Sequence, residues 1–344
     1  MREIIVTPEA LSEDYLPPHL FGREREMKEL AFAIEPATKG RSPLNCLVSG
    51  APGMGKTVVA KHLLKKLNEE TSIRSEYLNC WSKGTLYAIL CHLTEKWRLL
   101  GCELQSTKVK LEKVESCLQS KPFVLVLDEI DLLHQRERNA ILRAFLDIEN
   151  LGLVCICNSA EQVLLTLDDR VRSRFMASKI YFKPYSYETL VEILTQRAEH
   201  ALYKDSWSMD VLKLIARLSR GDARIAIQTL RLAGEIAETQ NNSIQLKHIQ
   251  SAYKRTRTLK KTYLLKRLSE HHLLIYQILL KHPGILSGEL WDNYLEGCKR
   301  NRQQPVAPRT FRDYLEKLST LKLIRSQRAS VRGRVRSFWA VKDG

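Results

Sequence analysis

The 344 residues carry 55 Lys and Arg against 39 Asp and Glu, a formal net charge of +16, with 44% hydrophobic and 27% charged residues. This balance fits a globular protein of two or three domains, and no run approaches the roughly 18 consecutive apolar residues of a membrane span. The eight cysteines form no C-x-x-C pair, so a zinc site or a disulfide frame is not expected; they read as small buried hydrophobes in a reducing compartment.

Residues 1–18 are polar, contain Pro8, Pro17 and Pro18, and read as a loose N-terminal lead that begins no secretory signal. Residues 19–182 read as an α/β nucleotide-binding domain, in which 44–182 alternate strand and helix patterns, as a parallel α/β sheet demands. The apolar run Leu44, Cys46, Leu47, Val48 is followed by Gly50-Ala51-Pro52-Gly53-Met54-Gly55-Lys56-Thr57 and then by a helical pattern from Val58. Strand, glycine-rich loop and helix is the setting of a phosphate-binding loop. Successive backbone N–H groups and the positive helix N-terminus cradle phosphate oxygens. Lys56 is expected to reach the β- and γ-phosphates of a nucleoside triphosphate, and the Thr57 hydroxyl to help hold Mg²⁺.

A helical stretch is expected over about 84–118, with Leu86, Ile89, Leu90, Leu93, Trp97 and Leu100 as a stripe whose simplest reading is core packing. Pro122 then precedes Phe123-Val124-Leu125-Val126-Leu127, the continuous apolar run of a buried parallel strand, and Asp128-Glu129-Ile130-Asp131 follows. Acids at the C-terminal end of such a strand lie where open α/β sheets bind ligands. Asp128 is expected to coordinate Mg²⁺ through water and Glu129 to orient and polarise the attacking water. Asp131 is open to the plainer role of a helix N-cap or first-turn acid. A third strand, Leu153 to Cys157, ends in Asn158-Ser159; Asn158 either hydrogen-bonds the γ-phosphate or lytic water, or belongs to an ordinary Asn-Ser turn.

After Lys183-Pro184-Tyr185 the β patterns stop, and residues 183–260 read as a helical lid. Within it Gly221-Asp222-Ala223-Arg224 joins two helices, with Asp222 as a plausible N-cap. A lid over a nucleotide fold would bring Arg224 near the phosphates; taken alone, Arg224 reads as a surface or capping arginine.

Charge segregates sharply. Residues 254–344 hold 21 Lys and Arg against 7 Asp and Glu, a net of +14, which leaves +2 for everything before them. That is the electrostatic footprint of a polyanion-binding module. Residues 261–344 show three helices, near 270–281, from Ser287 and from Arg309, and then a hairpin around Arg332-Gly333-Arg334. Three helices and a basic hairpin is the winged-helix plan. Its third helix would enter the major groove with Arg309, Thr310 and Arg312, while Arg328, Arg332, Arg334 and Arg336 of the hairpin meet phosphates or the minor groove. Use of the same plan for protein contact is the alternative.

Taken together, these segments resemble the archaeal origin-recognition and Cdc-type replication initiators, a branch of the AAA+ ATPases, over nearly the whole chain. The resemblance rests on Leu20-Phe21-Gly22-Arg23-Glu24, the phosphate loop (the Walker A motif), Asp128-Glu129-Ile130-Asp131 and Leu167 to Phe175. Phe182 to Tyr185, Gly221-Asp222-Ala223-Arg224 and Pro308-Arg309-Thr310 complete it. It implies a parallel P-loop sheet, an all-α lid and a C-terminal winged helix. It also implies binding of ATP and ADP with Mg²⁺ through Pro52, Gly53, Met54, Gly55, Lys56, Thr57 and Val58. Phe21 and Gly22 would line the adenine pocket, and Tyr185 would join the nucleotide contacts. Asn158 would be the sensor-1 residue and Arg224 the sensor-2 arginine; Arg174, in Ser173-Arg174-Phe175, would be the favoured finger reaching a neighbouring subunit's nucleotide, with Arg170 left open.

A DNA-contacting insertion maps to about 95–110, with Lys96, Arg98, Lys108 and Lys110 as candidates. Its loop is reduced to Gly101 to Gln105, and Leu321-Lys322-Leu323-Ile324 lacks the usual Gly, both departures that suggest a divergent paralogue. The implied function is an origin-binding switch with slow ATP hydrolysis that recruits or loads the MCM helicase on double-stranded DNA, alongside other initiator paralogues. A cytoplasmic, nucleoid-associated location without membrane partners follows. The rival readings are a clamp-loader-like motor and a nucleotide-regulated transcription factor.

Overall fold

A computed structural model describes residues 3–99, 105–119, 121–266, 268–321, 323–328 and 336–341. The chain divides into two compact units, Met1–Ile249 and Gln250–Gly344.

The first unit is built on strands β1 (Cys46–Ser49), β2 (Arg74–Asn79), β3 (Phe123–Asp128), β4 (Leu151–Ile156) and β5 (Ser178–Tyr181). All pair in parallel, in the order β2-β3-β4-β1-β5. Every residue of β1, β3 and β4 is buried, whereas the edge strands β2 and β5 expose part of theirs. Full burial is why the central strands read as unbroken apolar runs.

Alternate residues serve opposite faces of the sheet. Leu47, Leu125, Leu127, Leu153 and Cys155 pack with residues of α3 (Leu86–Lys96), α4 (Thr107–Leu118) and α5 (Gln135–Leu146). Cys46, Val48, Val124, Val126, Val154 and Ile156 pack with α1 (Glu24–Thr38) and α2 (Lys56–Glu70). Two short helices, α6 (Ala160–Leu165) and α7 (Asp169–Arg174), follow β4.

The single helical stretch expected over 84–118 is two helices. The first ends at Trp97, Arg98 adopts φ +52, and Ser106 caps the second by accepting from the Val109 N–H. Of the insertion loop, residues 100–104 lie outside the described residues.

Helices α8 (Tyr187–Ala201), α9 (Met209–Ser219) and α10 (Ala223–Thr239) form the lid and belong to the same compact unit as the sheet. The N-terminal lead is not loose. Ile4 and Ile5 donate their N–H groups to Glu238, Val6 donates to the Ala201 carbonyl, and Tyr203 donates back to Ile4. Ile4, Ala10 and Leu11 are buried, and the buried Arg197 guanidinium donates to the Ala10 carbonyl. Burial pulls the Arg197 pKa down to about 10. The lead's polar composition hides an apolar minority at positions 4, 5, 10 and 11, enough to dock an edge.

Helix α11 (Leu246–Lys266) spans the division between the units, so the junction expected at 260/261 falls within a helix. The second unit runs α12 (Glu270–Lys281), β6 (Ile285–Leu286), α13 (Ser287–Arg300), α14 (Pro308–Thr320), β7 (Ile324–Arg328) and β8 (Arg336–Ala340). Its antiparallel sheet has the order β6-β8-β7. This order accords with the expected three helices and hairpin. Leu274, Leu279, Leu290, Tyr294, Phe311, Leu318 and Phe338 share one core.

Five cysteines (46, 80, 155, 157 and 298) are buried and two (91 and 117) half-buried, all as free thiols; Cys102 lies outside the described residues. Among the described residues no helix is long and apolar enough to cross a membrane.

Candidate functional site

β1, β4 and β3 lie side by side, so the loop after β1, Asn158 after β4 and the acids closing β3 meet at one edge of the sheet. This is the carboxyl end of the strands, where open α/β sheets bind ligands.

In the loop after β1, Gly53 and Gly55 adopt φ of +82 and +81, which only glycine takes without strain. Close approach compounds the requirement: a Cβ on Gly53 would overlap the Asp222 carboxylate, and one on Gly55 the Tyr185 hydroxyl. The lid backbone touches the loop directly, with Ala223 N–H donating to the Gly53 carbonyl at 3.1 Å. Gly53→Ala should therefore weaken ADP binding about tenfold, since left-handed backbone costs an alanine roughly 1–2 kcal/mol. Equilibrium titration with fluorescent ADP tests this, and unchanged affinity would refute it.

Lys56 is buried and donates to the Gly50 and Ala51 carbonyls at 2.5 and 2.9 Å. Burial lowers its pKa; Asp128 and Asp131 pull it back up, while the like charge of Arg224 works against it. Asp128 is held from three sides. Thr57 Oγ1 and the Tyr77 hydroxyl donate to Oδ2 at 2.6 and 2.8 Å, and the Glu129 N–H donates to Oδ1 at 2.8 Å. Burial, and next the Asp128 charge, push the Tyr77 pKa far up, so Tyr77 stays a donor. A hydroxyl against a carboxylate fits Mg²⁺, which takes few protein oxygens and completes its shell with nucleotide phosphate and water. Glu129 stands at φ +58 immediately after the strand.

Asp131 is a first-turn acid of the 3-10 helix Ile130–Leu132 rather than its N-cap, and its Oδ2 accepts from the Asn158 backbone N–H at 3.1 Å and from Asn158 Nδ2 at 2.8 Å. Asp222 is the N-cap of α10, accepting from the Ile225 N–H at 3.1 Å. Arg224 is the second residue of the same lid helix, where its Nε pairs with Glu13 at 3.3 Å.

Met54 is buried, Phe21, Val58 and Tyr185 half-buried, and Pro52 and Gly22 exposed. On α7, Arg174 pairs with Asp147, whereas Arg170 is exposed and has no side-chain partner among the described residues.

Arg23 was not singled out as a site residue. It is buried, donates to the carbonyls of Met54 (3.1 Å), Gly22 (3.1 Å) and Lys183 (2.7 Å), and pairs with Glu26. Its guanidinium also sits 3.7 Å from the Tyr185 ring centroid. It thus ties the phosphate loop to the entry of the lid. Tyr77 carries no local signal either, being the one aromatic of a half-buried strand.

Among the candidate DNA contacts, Lys110 is buried with its ammonium 5.1 Å from the Tyr87 ring, so it is not a surface contact. Lys96 pairs with Glu76, which also bonds His92. Arg98 and Lys108 are exposed. On α14, Phe311 and Leu318 face the core while Arg309 and Arg312 are exposed and Thr310 is half-buried. Arg336 is exposed at the start of β8, and the hairpin register sets it opposite Arg328. Arg332 and Arg334 lie outside the described residues.

A five-stranded parallel sheet, a glycine loop with Lys56 and Thr57, the Asp128-Glu129 pair and a helical lid define an AAA+ ATPase. Residues 19–156 match the family described as the AAA ATPase domain, and residues 191–254 the Cdc6 AAA+ ATPase-type lid domain. The chain is 32% identical to ORC1-type DNA replication protein 1 of Sulfurisphaera tokodaii, covering 95% of this chain and 86% of that protein. It is 31% identical to the ORC1-type DNA replication protein of Pyrococcus abyssi, covering 95% and 84%. The structure of the Aeropyrum pernix ORC1 protein in complex with DNA superposes with a TM-score of 0.79 at 28% identity, covering 99% of this chain and 94% of that one. The chain belongs to the ORC1-type DNA replication proteins, the Orc1/Cdc6 family.

Proposed function

We propose that this protein is an ATP-controlled replication initiator: it binds double-stranded origin DNA, and slow ATP hydrolysis switches it between states. The observation that carries the reading is the pairing, in one chain, of a phosphate-loop site with a terminal unit in which basic residues far outnumber acidic ones. Residues 254–344 carry a net +14, and Arg309 and Arg312 lie together on the exposed side of α14. The register setting Arg328 opposite Arg336 adds to this.

In this reading Lys56 and the loop from Pro52 to Val58 bind the phosphates of ATP or ADP. Thr57 and Asp128 hold Mg²⁺, whose charge would screen the phosphate oxygens. Glu129 takes the proton of the attacking water, and Asn158 and Arg224 read the γ-phosphate. Arg170, with no side-chain partner among the described residues, is free to act as the finger, whereas Arg174 would first have to leave Asp147, as Arg224 would leave Glu13. Recruitment of the MCM helicase by the ATP-bound form is part of the proposal through family membership alone and rests on no feature of the site. The relative from Aeropyrum pernix was solved with DNA, which supports the DNA half of the proposal.

Phosphate contacts dominate such binding and make it steep in salt. If about five arginines meet phosphates, log K against log salt should fall with a slope near −4 to −5. The double variant Arg309→Ala, Arg312→Ala should flatten it by about 2. Fluorescence anisotropy across a salt series reads both; a slope unchanged by the double substitution would remove α14 from the interface. The wider test is binding across genomic fragments with ATP and with ADP, for the wild type and for Arg334→Ala, Arg336→Ala. A few origin-proximal sites, lost in the variant, support the initiator. Uniform binding, or sites confined to promoters, refutes it in favour of a nucleotide-regulated transcription factor.

A further inference from the structure

We infer that Asp131 is a positioning residue for nucleotide hydrolysis: it locks the side-chain amide of Asn158 in one of its two orientations. The inference rests on the reading above, in which Asn158 meets the γ-phosphate or the lytic water.

Asp131 sits in a single 3-10 turn, Ile130–Leu132, directly after β3, and Asn158 follows the neighbouring strand β4. One carboxylate oxygen, Oδ2, takes both the backbone N–H and the Nδ2 group of Asn158, at 3.1 and 2.8 Å. An ionised carboxylate only accepts. The amide must therefore turn its nitrogen toward Asp131, and its carbonyl oxygen is the end turned away. A flipped amide would set two acceptor oxygens against each other and forfeit a charge-assisted bond. The backbone bond to the same oxygen fixes the start of the Asn158 side chain as well as its tip. What Asn158 keeps for a ligand is its carbonyl oxygen and one remaining N–H, in a set orientation.

Two further observations place Asp131 within the site. Its charge acts on Lys56, opposing the effect of burial on that lysine. It also acts on Arg138, a guanidinium only 5% exposed whose Nε is buried without a hydrogen-bond partner. Asp131 Oδ1 is likewise buried and without a hydrogen-bond partner. Arg138 is anchored elsewhere, donating from a terminal nitrogen to Thr166 Oγ1 at 2.5 Å. It sets positive charge near Asp131 while leaving Oδ2 to Asn158. An oriented group misplaced by about 1 Å can cost a reaction up to a hundredfold, with binding barely changed.

The test compares the full-length wild type with Asp131→Asn, Asn158→Ala and the double variant. It measures single-turnover ATP hydrolysis and the equilibrium Kd for ADP. Asparagine at 131 keeps the shape but offers both donor and acceptor, so the Asn158 amide is free to flip. Hydrolysis by Asp131→Asn should fall at least tenfold with the ADP Kd within twofold of wild type, and the double variant should be no slower than Asn158→Ala alone. Wild-type turnover in Asp131→Asn beside a slow Asn158→Ala overturns the inference. So do losses that multiply in the double variant, or a loss of ADP affinity matching the loss of rate. Wild-type turnover in Asn158→Ala instead refutes the reading of Asn158 on which the inference depends.

Discussion

Glu129→Gln is expected to slow single-turnover ATP hydrolysis by roughly 10²–10⁴-fold while ATP still binds, the range a positioned general base contributes. The substitution keeps the size and hydrogen-bonding reach of the side chain and removes only its capacity to take a proton. Backbone geometry singles this residue out. Glu129 stands at φ +58, a left-handed conformation rare outside glycine and common where a site demands an unusual side-chain direction. Its N–H is fastened to Asp128 Oδ1, so the turn that aims Glu129 is the turn that holds the expected Mg²⁺ ligand. Protein mixed with labelled ATP and filtered should retain uncleaved ATP in the variant and ADP in the wild type. Hydrolysis within twofold of wild type would mean that Glu129 is not the base and would favour a regulator whose nucleotide never turns over.

Lys56→Ala should raise the Kd for ATP about 100-fold, equivalent to about 2.7 kcal/mol. A buried ammonium is costly, and Asp128 and Asp131 only partly offset the effect of burial on this one. Such a group is useful where a multiply charged anion arrives. Removing it takes away charge-assisted bonds worth roughly 1.5–3 kcal/mol and leaves two carboxylates facing the incoming phosphates without a counterion. Isothermal titration with ATP and with ADP should show the larger loss for ATP. Equal affinity in wild type and variant would contradict the assignment of the loop.

The parts of the site legible in the sequence are those whose chemistry lies within a few consecutive residues. Gly50 to Thr57 and Phe123 to Asp131 each announce strand, turn and function together, because the sheet buries the strand and spills the functional residues off its end. Asp222 was legible for the same reason, as a cap on its own helix. Arg23 and Tyr77 were not. Arg23 meets partners 31 and 160 positions away, and Tyr77 meets Asp128 51 positions away. Nothing in the local pattern of either residue separates it from a surface arginine or a strand aromatic.

The role of Asp131 was obscured differently. An acid in the first turn after a strand is a common local motif, and only the side-by-side placement of β3 and β4 brings Asn158 to it. The break between α3 and α4 was masked by apolar residues that continue the helical spacing through Trp97. Lys110 looked like a surface cation because a lysine's sequence gives no sign that its stem is packed away and its head set against an aromatic ring.

The docking of residues 4 to 11 on the lid has a consequence for synthesis. The Ile4 and Ile5 N–H groups bond to Glu238, which lies 234 positions after Ile4. At roughly 5–20 residues per second, the ribosome takes on the order of 10–50 s to deliver that partner after the lead has emerged. Throughout that interval Ile4, Ile5 and Leu11 have no lid to cover them, while the intervening sheet can already assemble. A segment made well before the lid is thus among the last to find its place, and the lid's final packing must wait on it.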